Sequence, residues 1–318
     1  MGTDARRGAG AGVGVHAADA PITFFGGKGG VGKTTMAAAA ALAHSDAGRR
    51  TLVISTDPAH SLGDALETRL GDRPRRVADG LWAAEPDAEA AVRRRVEQVT
   101  EDAHAALPRE IMPAVRRHLA HAAAGPGMVE SALADLLIDA MDQVPGEWDR
   151  LVVDSAPTGH LLRMLDLPAL LTPWVRGLAR QRERALDADR FAADVVGARE
   201  QGDAAEDPLL RRLHERRLRL ERAAERLRGD ACVRLVLVPR RMVLAETERA
   251  ADRLAGAGFR LGPAVINQVP ADADERVLAA ARRRFAGQGV VELPLAAEEP
   301  TGPERLRALA ARIAAPCG

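Results

Sequence analysis

The chain has 318 residues, 47% of them hydrophobic and 28% charged, with 45 basic side chains set against 45 acidic ones. That composition supplies ample core for one large α/β domain or two smaller ones, and the zero net charge leaves no global field to draw the molecule to nucleic acid or an anionic membrane. Two cysteines, Cys232 and Cys317, are too few for a disulfide framework or a four-cysteine metal site. No apolar run approaches the ~18–20 residues of a membrane span. Residues 1–20, rich in Gly and Ala, are expected to form a disordered arm. They carry no signal-like apolar run, and with the sparse cysteines this gives a cytoplasmic expectation.

Along the chain, short apolar runs alternate with helical stretches, the pattern of a mostly parallel sheet with helices on its faces. Strands are predicted at Ile22–Phe25, Thr51–Ser55, Leu81–Ala84, Leu151–Val153, Arg234–Val238, Ala264–Ile266 and Val290–Leu293. An alanine-rich helix is predicted over Met36–His44. Two long stretches, roughly 88–144 and 170–228, carry no strand signal and read as helical. In the first, Val129, Leu133, Leu136, Leu137, Ala140, Met141 and Val144 recur at helical spacing and define one apolar face. In the second, Leu213, Leu220 and Leu227 repeat every seven residues in an arginine-laden helix that begins after Pro208, with Gln201–Asp207 as a polar loop before it. The expected fold class is α/β. A mostly parallel sheet flanked by helices forms a single domain over residues 21–318, with a helical subdomain inserted in two pieces.

Only two lysines occur, Lys28 and Lys33, and the other 43 basic residues are all arginine. Lysine is a compact point charge on a thin stem, arginine a broad planar fork. A chain that otherwise uses arginine keeps lysine where a backbone loop must be threaded. Both lysines lie in the loop Gly26-Gly27-Lys28-Gly29-Gly30-Val31-Gly32-Lys33-Thr34-Thr35. Its second half fits the P-loop pattern G-x-x-x-x-G-K-[ST], between a predicted strand and a predicted helix as that motif requires. Gly27, Gly29, Gly30 and Gly32 let the backbone N–H groups of the loop, through Val31 to Thr35, converge on phosphate oxygens without Cβ clashes. Lys33 is expected to bridge the β- and γ-phosphates of ATP, and the Thr34 hydroxyl to ligate Mg²⁺. An ordinary P-loop needs no lysine at position 28.

Two further acids stand at the carboxyl ends of predicted strands, where ligands bind in a parallel sheet. Asp57 opens Asp57-Pro58-Ala59-His60-Ser61-Leu62-Gly63-Asp64. It is placed to orient or deprotonate an attacking water, or to make an Asx turn or helix cap. Asp64 reads as a local cap or loop hydrogen bond. Asp154 opens Asp154-Ser155-Ala156-Pro157-Thr158-Gly159-His160 in the manner of a Walker B acid and is expected to hold the Mg²⁺ shell. Gly159 and Pro157 suit a loop that rearranges when the γ-phosphate leaves.

The segment K-G-G-V-G-K-T resembles the deviant P-loop of dimeric ATPases, in which the extra lysine reaches the partner's nucleotide. Lys28 thereby implies a homodimer. S-T-D-P-A-H-S-L-G-D-A-L and D-S-A-P-T-G-H-L-L-R closely resemble the two switch loops of the arsenite-pump/guided-entry ATPase family. The resemblance extends from about Ile22 to Arg307 through A-E-T-E-R (Ala245–Arg249), V-I-N-Q (Val265–Gln268) and V-V-E-L-P-L (Val290–Leu295). It implies that Asp57 activates water, that Asn267 contacts adenine, and that ATP hydrolysis drives an open/closed switch acting on a hydrophobic membrane-protein client or a membrane partner, peripheral at the membrane. Two other roles stay open: the motor of an arsenite or anion efflux pump, and a partitioning-type ATPase on DNA or a membrane surface. No nucleic-acid partner is expected, and the sequence leaves open pairing with a non-identical ATPase.

The chain also departs from that family. Cys232, just before a predicted strand, and Cys317 match neither the clustered thiolates of arsenite pumps nor the C-x-x-C zinc clamp of targeting factors. Arg240 replaces an acid that meets nucleotide in the targeting factors, and either contacts phosphate or ribose or sits in solvent. Leu107, Ile111, Met112, Val115 and Leu119, with Met128 and Met141, form an apolar stripe that reads as core or as a client groove. The arginines of 176–190 and 211–228 read as solvated faces with Glu partners.

Overall fold

Strands covered by helices on both faces are written as continuous apolar runs instead of alternating ones, and the run at residue 22 is of that kind. In the computed structural model, β1 (Ile22–Gly27) is buried at every position. It lies beside β5 (Arg150–Asp154) on one side and β6 (Ala231–Leu237) on the other, both parallel to it. The structure describes residues 20–313 except 60, 107–108, 110–111, 124–126 and 197–206. The expected disordered arm, the loop at 201–206, Leu107, Ile111 and Cys317 lie outside the described residues.

Among the described residues the sheet has nine strands. Beyond β5 lie β2 (Thr51–Ser55), β4 (Leu81–Ala84) and β3 (Arg75–Ala78). Beyond β6 lie β8 (Ala264–Val269) and β9 (Val290–Pro294), and β7 (Arg260–Leu261) pairs with β6 off the main path. Every pair is parallel except β3–β4. The core strands coincide with the apolar runs. Two strands were not expected, and both lack the apolar signature. β3 is an edge strand whose Arg75 and Arg76 are exposed, charge of the kind that keeps an edge from pairing further. β7 has only two residues.

One correction concerns Cys232. It lies inside β6, not before it, and is fully buried. The predicted strand began at Arg234; β6 begins three residues earlier, and the Arg234 guanidinium stacks over the Phe25 ring, 5.5 Å from the centroid.

Helix α1 (Lys33–Asp46) follows the P-loop and is buried continuously from Met36 to Leu42. Its alanines let it lie close against the sheet on one side and α10 (Gly302–Ile313) on the other. The short α2 (Ser61–Ala65) has a buried carboxylate, Glu85, accepting from the Leu62 N–H at 2.8 Å. α8 (Arg241–Gly256) and α9 (Glu275–Phe285) complete the layers.

The first strandless stretch contains α3 (Ala88–Ala106), α4 (Met112–Ala123) and α5 (Met128–Asp142). The second contains α6 (Thr158–Val196) and α7 (Pro208–Gly229). α6 therefore begins directly after the Asp154 loop, well before residue 170, and runs through Pro168 and Pro173. The heptad leucines of α7 divide between two clusters. Leu227 joins the main core. Leu220, with Ala223, Ile138 and Val175, forms a satellite against which Leu213 packs. On the apolar face of α5, Leu133, Leu137, Ala140 and Met141 are buried, whereas Val129 is 42% exposed in the first turn. Of the predicted apolar stripe, Met112 and Met141 are buried and Leu119 and Met128 half-buried. The arginines of α6 and α7 bind acids, but several of these are aspartates on other elements instead of Glu one turn away. Arg216 reaches Asp135, Arg219 reaches Asp139 and Asp142, and Arg182 reaches Asp207.

Candidate active site

The parallel register aligns three strand ends. Phe25, just before the P-loop, lies opposite Asp154, and Asp154 lies opposite Ser55, two residues before Asp57. The loop from β1 to α1 therefore arrives beside both acids without any contact having to pull it there. Two glycines are required by space. A Cβ on Gly27 would lie 2.4 Å from the Val236 carbonyl oxygen of β6, and one on Gly32 would lie 2.4 Å from Asn267 Nδ2 of β8. Gly32, at φ +93°, also turns the loop into α1.

The loop borders a cavity of 830 Å³ lined by Gly29, Gly30, Gly32, Lys33, Thr34 and Thr35. Across it stand Asp57, Ser61, Asp64, Asn267 and the segment 294–301. Lys33 is 5% exposed, with Nζ donating to the Lys28 carbonyl at 3.3 Å and lying 3.8 Å from Asp57 Oδ2. Asp57 Oδ1 accepts from the Ala59 N–H at 3.1 Å, an Asx-type turn. One oxygen of Asp57 thus shapes its loop while the other faces the lysine. Asn267 Nδ2 donates to the Val31 carbonyl at 2.9 Å, tying β8 to the P-loop.

Asp154 is fully buried. Ser55 Oγ donates to its Oδ2 at 3.0 Å, and Oδ1 has no hydrogen-bond partner among the described residues. Desolvation pushes its carboxyl up to about 6, against the opposing pull of the Thr34 and Ser55 hydroxyls and Lys33; Asp57 adds to the rise. The Thr34 hydroxyl stands close to that carboxylate but is bonded to Ser61 Oγ at 2.9 Å. A buried anion with an unused oxygen, next to a reorientable hydroxyl, is a donor set suited to a hard cation. Among the described residues there is no cluster of three or more His, Cys, Asp or Glu side chains that would form an all-protein metal cage.

Lys28 lies apart from this group. Its Nζ is 3.2 Å from Glu246 Oε2 of α8, and both side chains are more than 40% exposed. Arg240, immediately before α8, is exposed. His160 Nδ1 meets Glu130 Oε1 of α5 at 3.2 Å, a link between the Asp154 loop and the helical region. Ser55, Ser61 and Glu246 were not singled out from sequence as partners. All three lie within the quoted motifs, but nothing in their spacing distinguishes them from neighbouring polar residues.

The raised carboxyl of Asp154 has a consequence for the ligand-free protein. Its folded value lies above the ordinary 3.8, so its contribution to stability is present below 3.8 and lost as pH rises through about 6. At pH 7 that loss amounts to roughly 2–3 kcal/mol. Asp154→Asn should therefore raise the unfolding temperature of the ligand-free protein at pH 7, and the gain should shrink toward pH 4. Thermal scans of both forms across this range check it; a variant less stable than wild type at pH 7 contradicts it.

Comparison with known proteins agrees with this geometry. Residues 20–315 match the family described as Anion-transporting ATPase. A protein of Aquifex aeolicus provisionally named arsenical pump-driving ATPase 2 is 28% identical over 90% of this chain and 96% of its own length. The arsenical pump-driving ATPase of Acidiphilium multivorum is 30% identical over 88% of this chain, which spans only 45% of that protein. The ATPase ASNA1 homolog 1 of Paramecium tetraurelia is 27% identical over 82% of this chain and 79% of its own length. With its phosphate loop, its two strand-end acids and a match running almost from end to end, the chain belongs to the anion-transporting ATPase family.

Proposed function

We propose that this ATPase is a Mg²⁺-dependent homodimeric switch, in which hydrolysis of the β–γ bond of ATP alternates binding and release of a hydrophobic membrane-protein or membrane-associated client. The observation that carries the nucleotide chemistry is Lys33, buried between its own loop and Asp57 at the mouth of the cavity. Lys33 and the loop N–H groups would hold the β- and γ-phosphates, and Asn267 the adenine. Asp57 Oδ2 would accept a proton from the water whose oxygen attacks the γ-phosphorus as the bond to the ADP oxygen breaks. Thr34 and Asp154, with its partnerless oxygen, would hold Mg²⁺. The ion when bound neutralises charge on the phosphate oxygens. Lys28 would leave Glu246 and reach the partner's nucleotide.

The client role rests on the helical region joined to the Asp154 loop through α6 and the His160–Glu130 pair. The names of the relatives fit the motor of an arsenite or anion pump equally well. Against thiolate capture of a metalloid, Cys232 is fully buried and its thiol is pushed up to about 11 by desolvation. A partitioning-type role would need a flat basic face, whereas Arg176, Arg182, Arg216, Arg219 and Arg226 are engaged by acids. No helix among the described residues is long and apolar enough to cross a membrane. A cytoplasmic protein peripheral to the membrane is the location proposed.

Lys33→Ala should abolish turnover and weaken ATP binding. Asp57→Asn should bind ATP normally yet hydrolyse it at least ~10²-fold more slowly. Phosphate release and nucleotide titration check both, and near-wild-type turnover in either variant removes that residue from the chemistry.

Lys28→Ala should lose turnover while keeping nucleotide affinity. Mixed with Asp57→Asn subunits it should partly recover, because one site then has its own Asp57 and the partner's Lys28. Verified subunit exchange without recovery would mean that Lys28 acts within its own chain.

Cys232→Ala combined with Cys317→Ser should leave ATPase activity unchanged, with no stimulation by arsenite in either form. Stimulation of wild type that disappears in the double variant would instead establish the pump motor.

A further inference from the structure

Two non-glycine residues among the described ones hold a positive φ: Glu67 at 51° and Gln268 at 55°. That conformation disfavours any residue with a Cβ and is kept only where the surroundings enforce it. Both stand at the anchors of one piece of chain, residues 295–301, which joins β9 to α10 and lines the P-loop cavity. Gln268 lies in the break of register between β8 and β9, and the next carbonyl, that of Val269, accepts from the Leu295 N–H at 2.8 Å. Glu67 lies just beyond α2, and its Oε1 accepts from the Thr301 hydroxyl at 3.0 Å. Between these anchors the chain is exposed from Leu295 to Glu299. Its other polar contacts among the described residues are local: the Thr301 N–H donates to the Glu299 carbonyl at 3.0 Å, and Arg305 meets Glu298 at 2.8 Å. The segment is a strap held at its ends.

Gly302 lets Glu67 come close. It turns the strap into α10 at φ +79°, and a Cβ there would lie 3.0 Å from Glu67 Oε2. The carboxylate thus lies over the first residue of α10, where it complements the positive end of the helix. The segment that carries Glu67 begins at the phosphate end of the cavity. The Ser61 hydroxyl meets that of Thr34 in the P-loop at 2.9 Å, and Ser61 and Asp64 line the cavity opposite the loop. From there the chain is tightly wound. The Glu67 N–H donates to the Asp64 carbonyl at 3.1 Å, and the Thr68 N–H to the Gly63 carbonyl at 2.9 Å. A shift of Ser61 is therefore carried to Glu67, which does not itself line the cavity.

We propose that Glu67 is a positioning residue that ties the phosphate end of the cavity to the strap at its other end, so that seating of the triphosphate and closure of the strap over the base occur together. The inference rests on the cavity being the ATP site, with the base beside Asn267. A base-free polyphosphate seats the α2 segment but leaves nothing under the strap. Glu67 thereby contributes to preference for ATP over the bare triphosphate chain without touching either.

The test is calorimetric titration of the full chain with the β,γ-imido analogue of ATP and with tripolyphosphate, each with Mg²⁺. Thr301→Val deletes the donor. Glu67→Gly deletes the acceptor and relieves the backbone, so it serves if Thr301→Val folds poorly. Each should weaken the analogue about threefold or more while shifting tripolyphosphate by less than about twofold. The double variant should bind the analogue no more weakly than either single one, because both remove the same link. Thr301→Ser keeps the hydroxyl and should keep wild-type selectivity. Unchanged analogue affinity in both single variants overturns the proposal. Equal weakening of both ligands, with a lower unfolding temperature of the ligand-free protein, also overturns it and makes Glu67 a cap on α10. Failure of the ATP site itself has a different signature: wild type and Lys33→Ala would then bind the analogue alike, which removes the site and this inference with it.

Discussion

Everything at the nucleotide end of the molecule depends on the register of three parallel strands. β1, β2 and β5 are buried on both faces, and a slip of one residue would turn their apolar sets out of place. Because Phe25, Ser55 and Asp154 are thereby level with one another, the P-loop, the Asp57 loop and the Asp154 loop leave the sheet at the same height. The site is assembled by packing of Ile, Leu, Val and Phe. Its own polar bonds are few, and one of them, at Asp154 Oδ1, is missing. Burial of that carboxylate works against folding, and it is the sheet around it that keeps it in place.

The parts of this arrangement that were legible in the sequence are those written in simple apolar runs or in backbone-limited motifs. β2 and β4 have the bounds predicted for them from their apolar runs. The P-loop is recognisable because only Gly and Lys satisfy its spatial demands, and Gly27 and Gly32 show those demands as close approaches to Val236 and Asn267. What was not legible depends on neighbours distant in sequence. β3 exists because β4 offers it an edge. β6 starts three residues before the predicted strand, and Arg234 is tolerated inside it because Phe25 gives its guanidinium a ring to cover. Lys28 carries no sequence sign that Glu246, more than two hundred residues away, would hold it.

The arginine content, which the sequence offered as a uniform background against two lysines, is differentiated in the fold. Some arginines fix elements to one another: Arg50 binds Asp149 and the Gly146 carbonyl, and Arg307 binds Asp46 of α1. Arg226 holds Asp230 and the carbonyl of Met141, joining the ends of α7 and α5. Others join the helices of the inserted region: Arg95 and Arg216 share Asp135 of α5, and Arg219 meets Asp139 and Asp142. Composition alone cannot separate these groups, because the distinction lies in which carboxylate each guanidinium meets.

The bond from Asn267 to the Val31 carbonyl spends only one of the amide's two N–H donors. The second N–H and the carbonyl oxygen remain for a base edge. With the adenine role proposed for Asn267, purine and P-loop become neighbours in one hydrogen-bond chain, each polarising the next. Recognition of the base would then set the pitch of the phosphate cradle. A triphosphate without a purine would find the same cradle less well tuned, so discrimination would be registered at the far end of the nucleotide from where it is read.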